Sequence, residues 1–163
     1  MRRKIALWVV FLLVVATSTL ASDAPKQAGP YDPSLDGWKQ VQAATQRAST
    51  DGRRVLVVVG GNWCKWCRAL DRLMDESAEL TGELVAHYEL VHLNWSKENK
   101  NAKAMARLGH PEELGFPSFV ILSPTLRVLH TQDTGSFENP DHDTPGHNLA
   151  KLLAFLKQWD GTK

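Results

Sequence analysis

Cysteine is nearly absent from this 163-residue chain: there are two, and they stand three residues apart. That excludes a secreted scaffold stapled by several disulfides, which would scatter its cysteines along the chain. Charge of one sign is lacking as well. The formal net charge is +1, so nothing draws the protein to nucleic acid, and none is expected as a partner. No internal repeat occurs. With 43% of residues hydrophobic and 23% charged, the chain suits one globular domain with a core of its own.

The longest apolar run, Ile5 to Ala16, falls short of the roughly 20 residues that a membrane-spanning helix needs. It follows the basic Arg2, Arg3 and Lys4 and precedes a stretch of mostly small and polar residues ending at Ala21. This is the layout of a secretory signal peptide, residues 1–21, cut after Ala21. An uncleaved anchor is the alternative, because Leu20 and Ala21 prolong the apolar stretch. No cysteine lies near the cut to carry a lipid. Loss of the three basic residues takes the net charge from +1 to −2. The expected location is periplasmic or secreted, where disulfides form and persist, with membrane contact only through the signal peptide.

Residues 22–35 hold Pro25, Gly29, Pro30 and Pro33 and read as an extended linker, leaving 36–163 as the folded domain. Asp36 is placed to cap a helix reaching about Ala48, with Trp38, Val41, Ala44, Thr45 and Ala48 on one face. Val55 to Val59 is an unbroken β-branched and leucine run, which fits a strand buried on both faces. Cys64 to Met74 and Ser77 to Tyr88 read as helices, and Leu90 to Trp95 as a second strand. Lys97 to Leu108 reads as a helix. Phe119 to Leu122 and Arg127 to Thr131 form a hairpin about Ser123-Pro124-Thr125. A loop over 133–147 leads to a last helix, Leu149 to Trp159. Strands separated by helices imply parallel pairing, with the hairpin adding an antiparallel edge. The fold class is α/β, with a mixed central sheet of about four strands flanked by helices.

The two cysteines sit where a buried strand gives way to a helix, in Gly60-Gly61-Asn62-Trp63-Cys64-Lys65-Trp66-Cys67. Unpaired amides and the helix dipole at such a point stabilise a thiolate, and Lys65 adds positive charge. Cys67 lies three residues on, within disulfide reach, so Cys64 is the expected nucleophile and Cys67 the resolving thiol. Haem attachment would need His in place of Arg68. Structural zinc wants four ligands, and His110, His130, His142 and His147 form no close pair, which leaves them as surface loop residues. Copper binding by two thiolates stays open. A purely structural disulfide would close too small a loop to stabilise much.

Trp63-Cys64-Lys65-Trp66-Cys67 after a valine-rich strand, with Phe116-Pro117 ahead of a later strand, resembles the thioredoxin superfamily. The nearest pattern is its exported bacterial branch with a Trp-Cys-x-Trp-Cys signature. The resemblance implies a thioredoxin-like fold over Asp36 to Trp159. It implies a cis Pro117 lying against the active-site disulfide, and a substrate-binding surface of Trp63, Trp66, Phe116 and Pro117. It also implies a thiol–disulfide oxidoreductase acting on protein thiols and disulfides, coupled to an unidentified redox partner. No cofactor is expected beyond the redox-active Cys64–Cys67 disulfide, no metal, and a monomer. Two features depart from the family: Val58 stands where thioredoxins bury an Asp, and Lys65-Trp66 replaces Gly-Pro. The direction of exchange is therefore open.

The remaining candidates have plainer readings. Asn62 is placed to cap the active-site helix. Asp71, Glu76 and Glu79 read as a solvated face, and the loop from Gln132 to Glu138 as surface. Trp38, Trp95 and Trp159 read as packing residues. Two other functions compete with the oxidoreductase: a non-catalytic binding module with incidental cysteines, and a copper-handling protein.

Overall fold

The computed structural model describes residues 29–141 and 144–162. The expected signal peptide, the start of the linker and His142 lie outside the described residues. Five helices and four strands follow one another as α1 (Gly37–Asp51), β1 (Arg54–Gly60), α2 (Lys65–Glu76), α3 (Ala78–His87), β2 (Tyr88–Asn94), α4 (Ala102–Leu108), β3 (Ser118–Leu122), β4 (Val128–Asp133) and α5 (Leu149–Trp159). No helix among the described residues is long and apolar enough to cross a membrane.

Local chemistry sets the boundaries. The Asp36 carboxylate accepts from the Lys39 amide at 3.1 Å and starts α1, and Gly52 ends it in the left-handed region at φ 76°. Ser77 divides α2 from α3: its amide donates to the Leu73 carbonyl, and its hydroxyl accepts from the Leu80 amide. Asn148 caps α5 through the Lys151 amide.

The sheet order is β2-β1-β3-β4. β1 pairs parallel with β2 and antiparallel with β3, and β3 pairs antiparallel with β4. Only one pair is therefore parallel, against the expectation that every helical connection returns a parallel strand. After β2 the chain passes through α4 and a 3-10 turn at Pro111–Leu114 without recrossing the sheet, so β3 enters from the end where β2 leaves.

The helix expected over Lys97 to Leu108 starts late, at Ala102. Asparagine side chains hold the preceding residues in turns instead. Asn94 Nδ2 donates to the Asn99 carbonyl, Asn101 Nδ2 to the Asn94 carbonyl, and Asn99 Nδ2 to the Pro33 carbonyl. Such side chains offer the backbone an alternative to the helix.

Alternation along β1 splits the core in two. Val55, Val57 and Val59 face α1 and α4 with Trp38, Val41, Ala44 and Met105. Leu56 and Val58 face α2, α3 and α5 with Leu70, Leu80, Phe119, Leu152 and Leu156. Both faces are dry, which explains the continuous apolar run. Phe155, which the helical pattern of α5 left unremarked, is buried against Phe119 and Phe137. Trp38 is buried, while Trp159 is half-buried and stacks on the His130 ring at 4.6 Å.

Tyr31 departs from the linker reading. It is 1% exposed and packs in the α2 face of the core. Asn62 clamps its backbone, accepting from the Tyr31 amide at 3.2 Å and donating to the Tyr31 carbonyl at 2.7 Å.

Candidate active site

β1 runs buried into Gly60, and the chain turns through Gly61 and Asn62 to deliver Cys64 to the start of α2. Cys64 is the N-cap itself. Its backbone is extended (φ −83°, ψ 117°), and its sulfur accepts from the Cys67 amide at 3.1 Å. Asn62 therefore does not cap this helix. Its side chain is committed to Tyr31, and the position two residues closer to the helix satisfies the free amides.

The two sulfurs are joined, with a Cα–Cα separation of 5.2 Å. Cys64 is 5% exposed and Cys67 is fully buried, so Cys64 is the more open of the pair. Lys65 turns its ammonium over the Trp66 ring at 4.3 Å, and the Arg68 guanidinium donates to the Asn62 carbonyl. Two cations thus stand at the amide-rich end of α2 beside Cys64. Amides, dipole and charge all favour sulfur as the anion there.

The Phe116–Pro117 bond is cis. The Phe116 carbonyl oxygen lies 3.7 Å from Cys64 Sγ. The loop after β4 braces this segment: the buried Thr134 hydroxyl donates to the Pro117 carbonyl at 2.6 Å. The stretch expected as plain surface loop therefore supports the site, and Gln132 and Asp133 belong to β4.

Beside the disulfide lies an aromatic group of three. Trp63 is 53% exposed and packs edge-on against Phe116 at 5.4 Å, with Trp95 at 4.9 Å from Phe116. The Trp63 indole donates to the Trp95 carbonyl at 2.8 Å, which fixes its orientation. Trp95 is more than a packing residue: the parallel register of β2 on β1 brings it to this rim, and strand alternation alone does not reveal that. Trp66 is half-buried and packs on the α2 side of the core, apart from this trio.

Chain topology also brings together residues that spacing left apart. Val58 lies in register with His92 of β2. The His92 imidazole is 3.2 Å from the Asp71 carboxylate, and both side chains are largely buried. Asp71 is thus not on a solvated face, although Glu76 and Glu79 are exposed. A histidine inside the apolar strand Leu90 to Leu93 was the available sign. His130 and His147 are not surface loop residues either: the first stacks in β4 and the second is buried.

A family model described as thioredoxin-like matches residues 37–124, more than half of the chain. The chain belongs to the thioredoxin-like family. Among solved structures it is similar to a disulphide isomerase from Xylella fastidiosa Temecula1. That match has 26% identity and a TM-score of 0.67, and covers 79% of this chain and 95% of that one. A DsbH oxidoreductase shares the fold at 20% identity and a TM-score of 0.54, covering 90% and 95%. A thioredoxin from Thermus thermophilus does so at 19% and 0.51, covering 72% and 81%. The cysteine pair of this chain stands between a buried strand and a helix, with the cis Phe116–Pro117 bond beside Cys64.

Proposed function

We propose that this thioredoxin-like protein is an exported thiol–disulfide oxidoreductase that exchanges disulfides with protein thiols. The observation that carries the reading is Cys64 at the N-cap of α2, its sulfur on the Cys67 amide and its outer side toward the Phe116 carbonyl. The 26% identity to a disulphide isomerase of known structure supports it. The N-terminal signal pattern supports a periplasmic or extracellular site of action.

In the reducing direction, the Cys64 thiolate attacks one sulfur of a substrate disulfide. A Cys64–substrate disulfide forms, and the second substrate sulfur leaves and takes up a proton. Cys67, losing its proton, then attacks Cys64 Sγ, and the first substrate sulfur leaves as a thiol. The substrate gains two electrons, and Cys64–Cys67 ends oxidised. A dithiol partner returns the pair to the reduced state by the same steps in reverse. Trp63 and Phe116 offer the substrate an apolar rim, and the Pro117 segment lies alongside the sulfur pair. No cofactor beyond the disulfide enters these steps.

Insulin reduction driven by dithiothreitol tests the reading. The wild type should accelerate it, and Cys64→Ser should abolish the acceleration. Equal rates with and without the protein would overturn it.

A further inference from the structure

The hydroxyl of Tyr31 is fully buried and has no hydrogen-bond partner among the described residues. A buried donor left unmatched costs its desolvation, and a phenylalanine would fill the same space without that cost. The position of the hydroxyl gives the reason for keeping it. Gly60 is the last residue of β1, and a Cβ there would sit 2.7 Å from Cys67 Sγ and 2.9 Å from the Tyr31 oxygen. The resolving sulfur and the phenol thus both crowd the one position that a side chain at Gly60 would take. In the disulfide, Cys67 Sγ is already bonded to Cys64.

We propose that Tyr31 is a positioning residue for the resolving cysteine: when the disulfide opens, the Tyr31 hydroxyl donates to Cys67 Sγ over the bare Cα of Gly60. Burial, with the Asp71 charge second, pushes the Tyr31 phenol well above its ordinary range, so it remains a donor. The groups around it hold it in place. Asn62 fixes its backbone, the His92 and Tyr31 rings meet edge to face at 5.2 Å, and the Asp71 carboxylate lies 3.2 Å from the His92 imidazole. The bond exists only in the dithiol state, so it stabilises that state alone.

This inference rests on the exchange chemistry proposed above, but its test sets the oxidation state chemically. Y31F removes the hydroxyl and keeps the ring. Its disulfide form should melt at or above the wild-type temperature, and its dithiol form, held in a phosphine reductant, below it. In glutathione buffers its equilibrium should shift about tenfold toward the disulfide, equivalent to about 30 mV for a two-electron couple. Equal melting shifts in both forms, with an equilibrium within twofold of wild type, would overturn the proposal. A second measurement needs no substitution in the core. The chain has two tyrosines, and the hydroxyl of Tyr88 donates to the Leu156 carbonyl. With fluorotyrosine incorporated, reduction should move the fluorine resonance of Tyr31 and leave that of Tyr88; an unmoved Tyr31 signal also overturns the proposal. If insulin reduction fails while these differences persist, the oxidoreductase reading falls and the Tyr31 contact stands.

Discussion

Asn62→Ala is the substitution whose cost follows most directly from the geometry. Its side chain bridges the active-site turn to the backbone of Tyr31, accepting at 3.2 Å and donating at 2.7 Å. Asn62 is 9% exposed and Tyr31 1%, so water cannot readily replace either bond. Two bonds at a net value of about 1 kcal/mol each give a floor of about 2 kcal/mol. If the Tyr31 amide and carbonyl stay dry and unmatched, desolvation raises this to about 4 kcal/mol. At about 4 °C per kcal/mol for a domain of this size, the melting temperature should fall by about 8–16 °C. Calorimetry on the oxidised protein measures it. The Tyr31 ring packs in the same buried cluster as the resolving thiol, so the reduced variant should let iodoacetamide reach Cys67 faster than the wild type does. A melting temperature within about 1 °C of wild type, with unchanged alkylation, would refute the claim that Tyr31 is held in the core by this residue.

Two further outcomes test other parts of the structure. His147 is buried with both ring nitrogens unmatched among the described residues, and burial lowers its pKa, with the Glu138 charge opposing. The unfolded chain takes up this proton near pH 6.5, about the usual value for histidine, before the folded one does. Stability should therefore drop as the pH falls below about 6.5, and His147→Gln should reduce the difference between urea midpoints at pH 7.5 and pH 5; an unchanged difference would contradict this. Trp63→Ala removes the exposed edge of the aromatic rim, so the KM for a protein disulfide should rise about 5–10-fold, the loss expected for an interface tryptophan. The glutathione equilibrium of that variant should stay within twofold of wild type, because Trp63 touches Phe116 and Trp95 rather than either sulfur.

Much of the architecture was legible from pattern. Val55 to Val59 announced a strand buried on both faces, and the spacing of Cys64, Cys67, Leu70 and Met74 placed the thiols on the core side of a helix. Cys64 and Cys67 could be assigned different roles because only the first stands at the free amides of the helix start, while the second lies three residues into the helix. Less legible were features that depend on side chains competing with the backbone. The asparagine contacts among Asn94, Asn99 and Asn101 delay α4, and helical propensity does not report them. Cys64 caps its own helix, displacing the more usual Asn62. The direction of β3 depends on whether α4 recrosses the sheet, a tertiary matter. Tyr31 was hidden by its prolines: Pro30 and Pro33 mark an extended segment, but an extended segment can still carry one large ring into the core. Asp71 and His92, one from α2 and the other from β2, meet only in the tertiary fold.

The central claim is that Cys64 forms the bond to substrate and Cys67 breaks it. A Cys67→Ala variant incubated with a reduced-and-denatured protein carrying one activated mixed disulfide tests this most directly. Mass spectrometry should find the substrate covalently joined at Cys64 and stable until dithiothreitol is added, while the wild type releases it and closes the Cys64–Cys67 disulfide. Absence of an adduct on Cys64 would contradict the account, as would release of the substrate at the wild-type rate without Cys67.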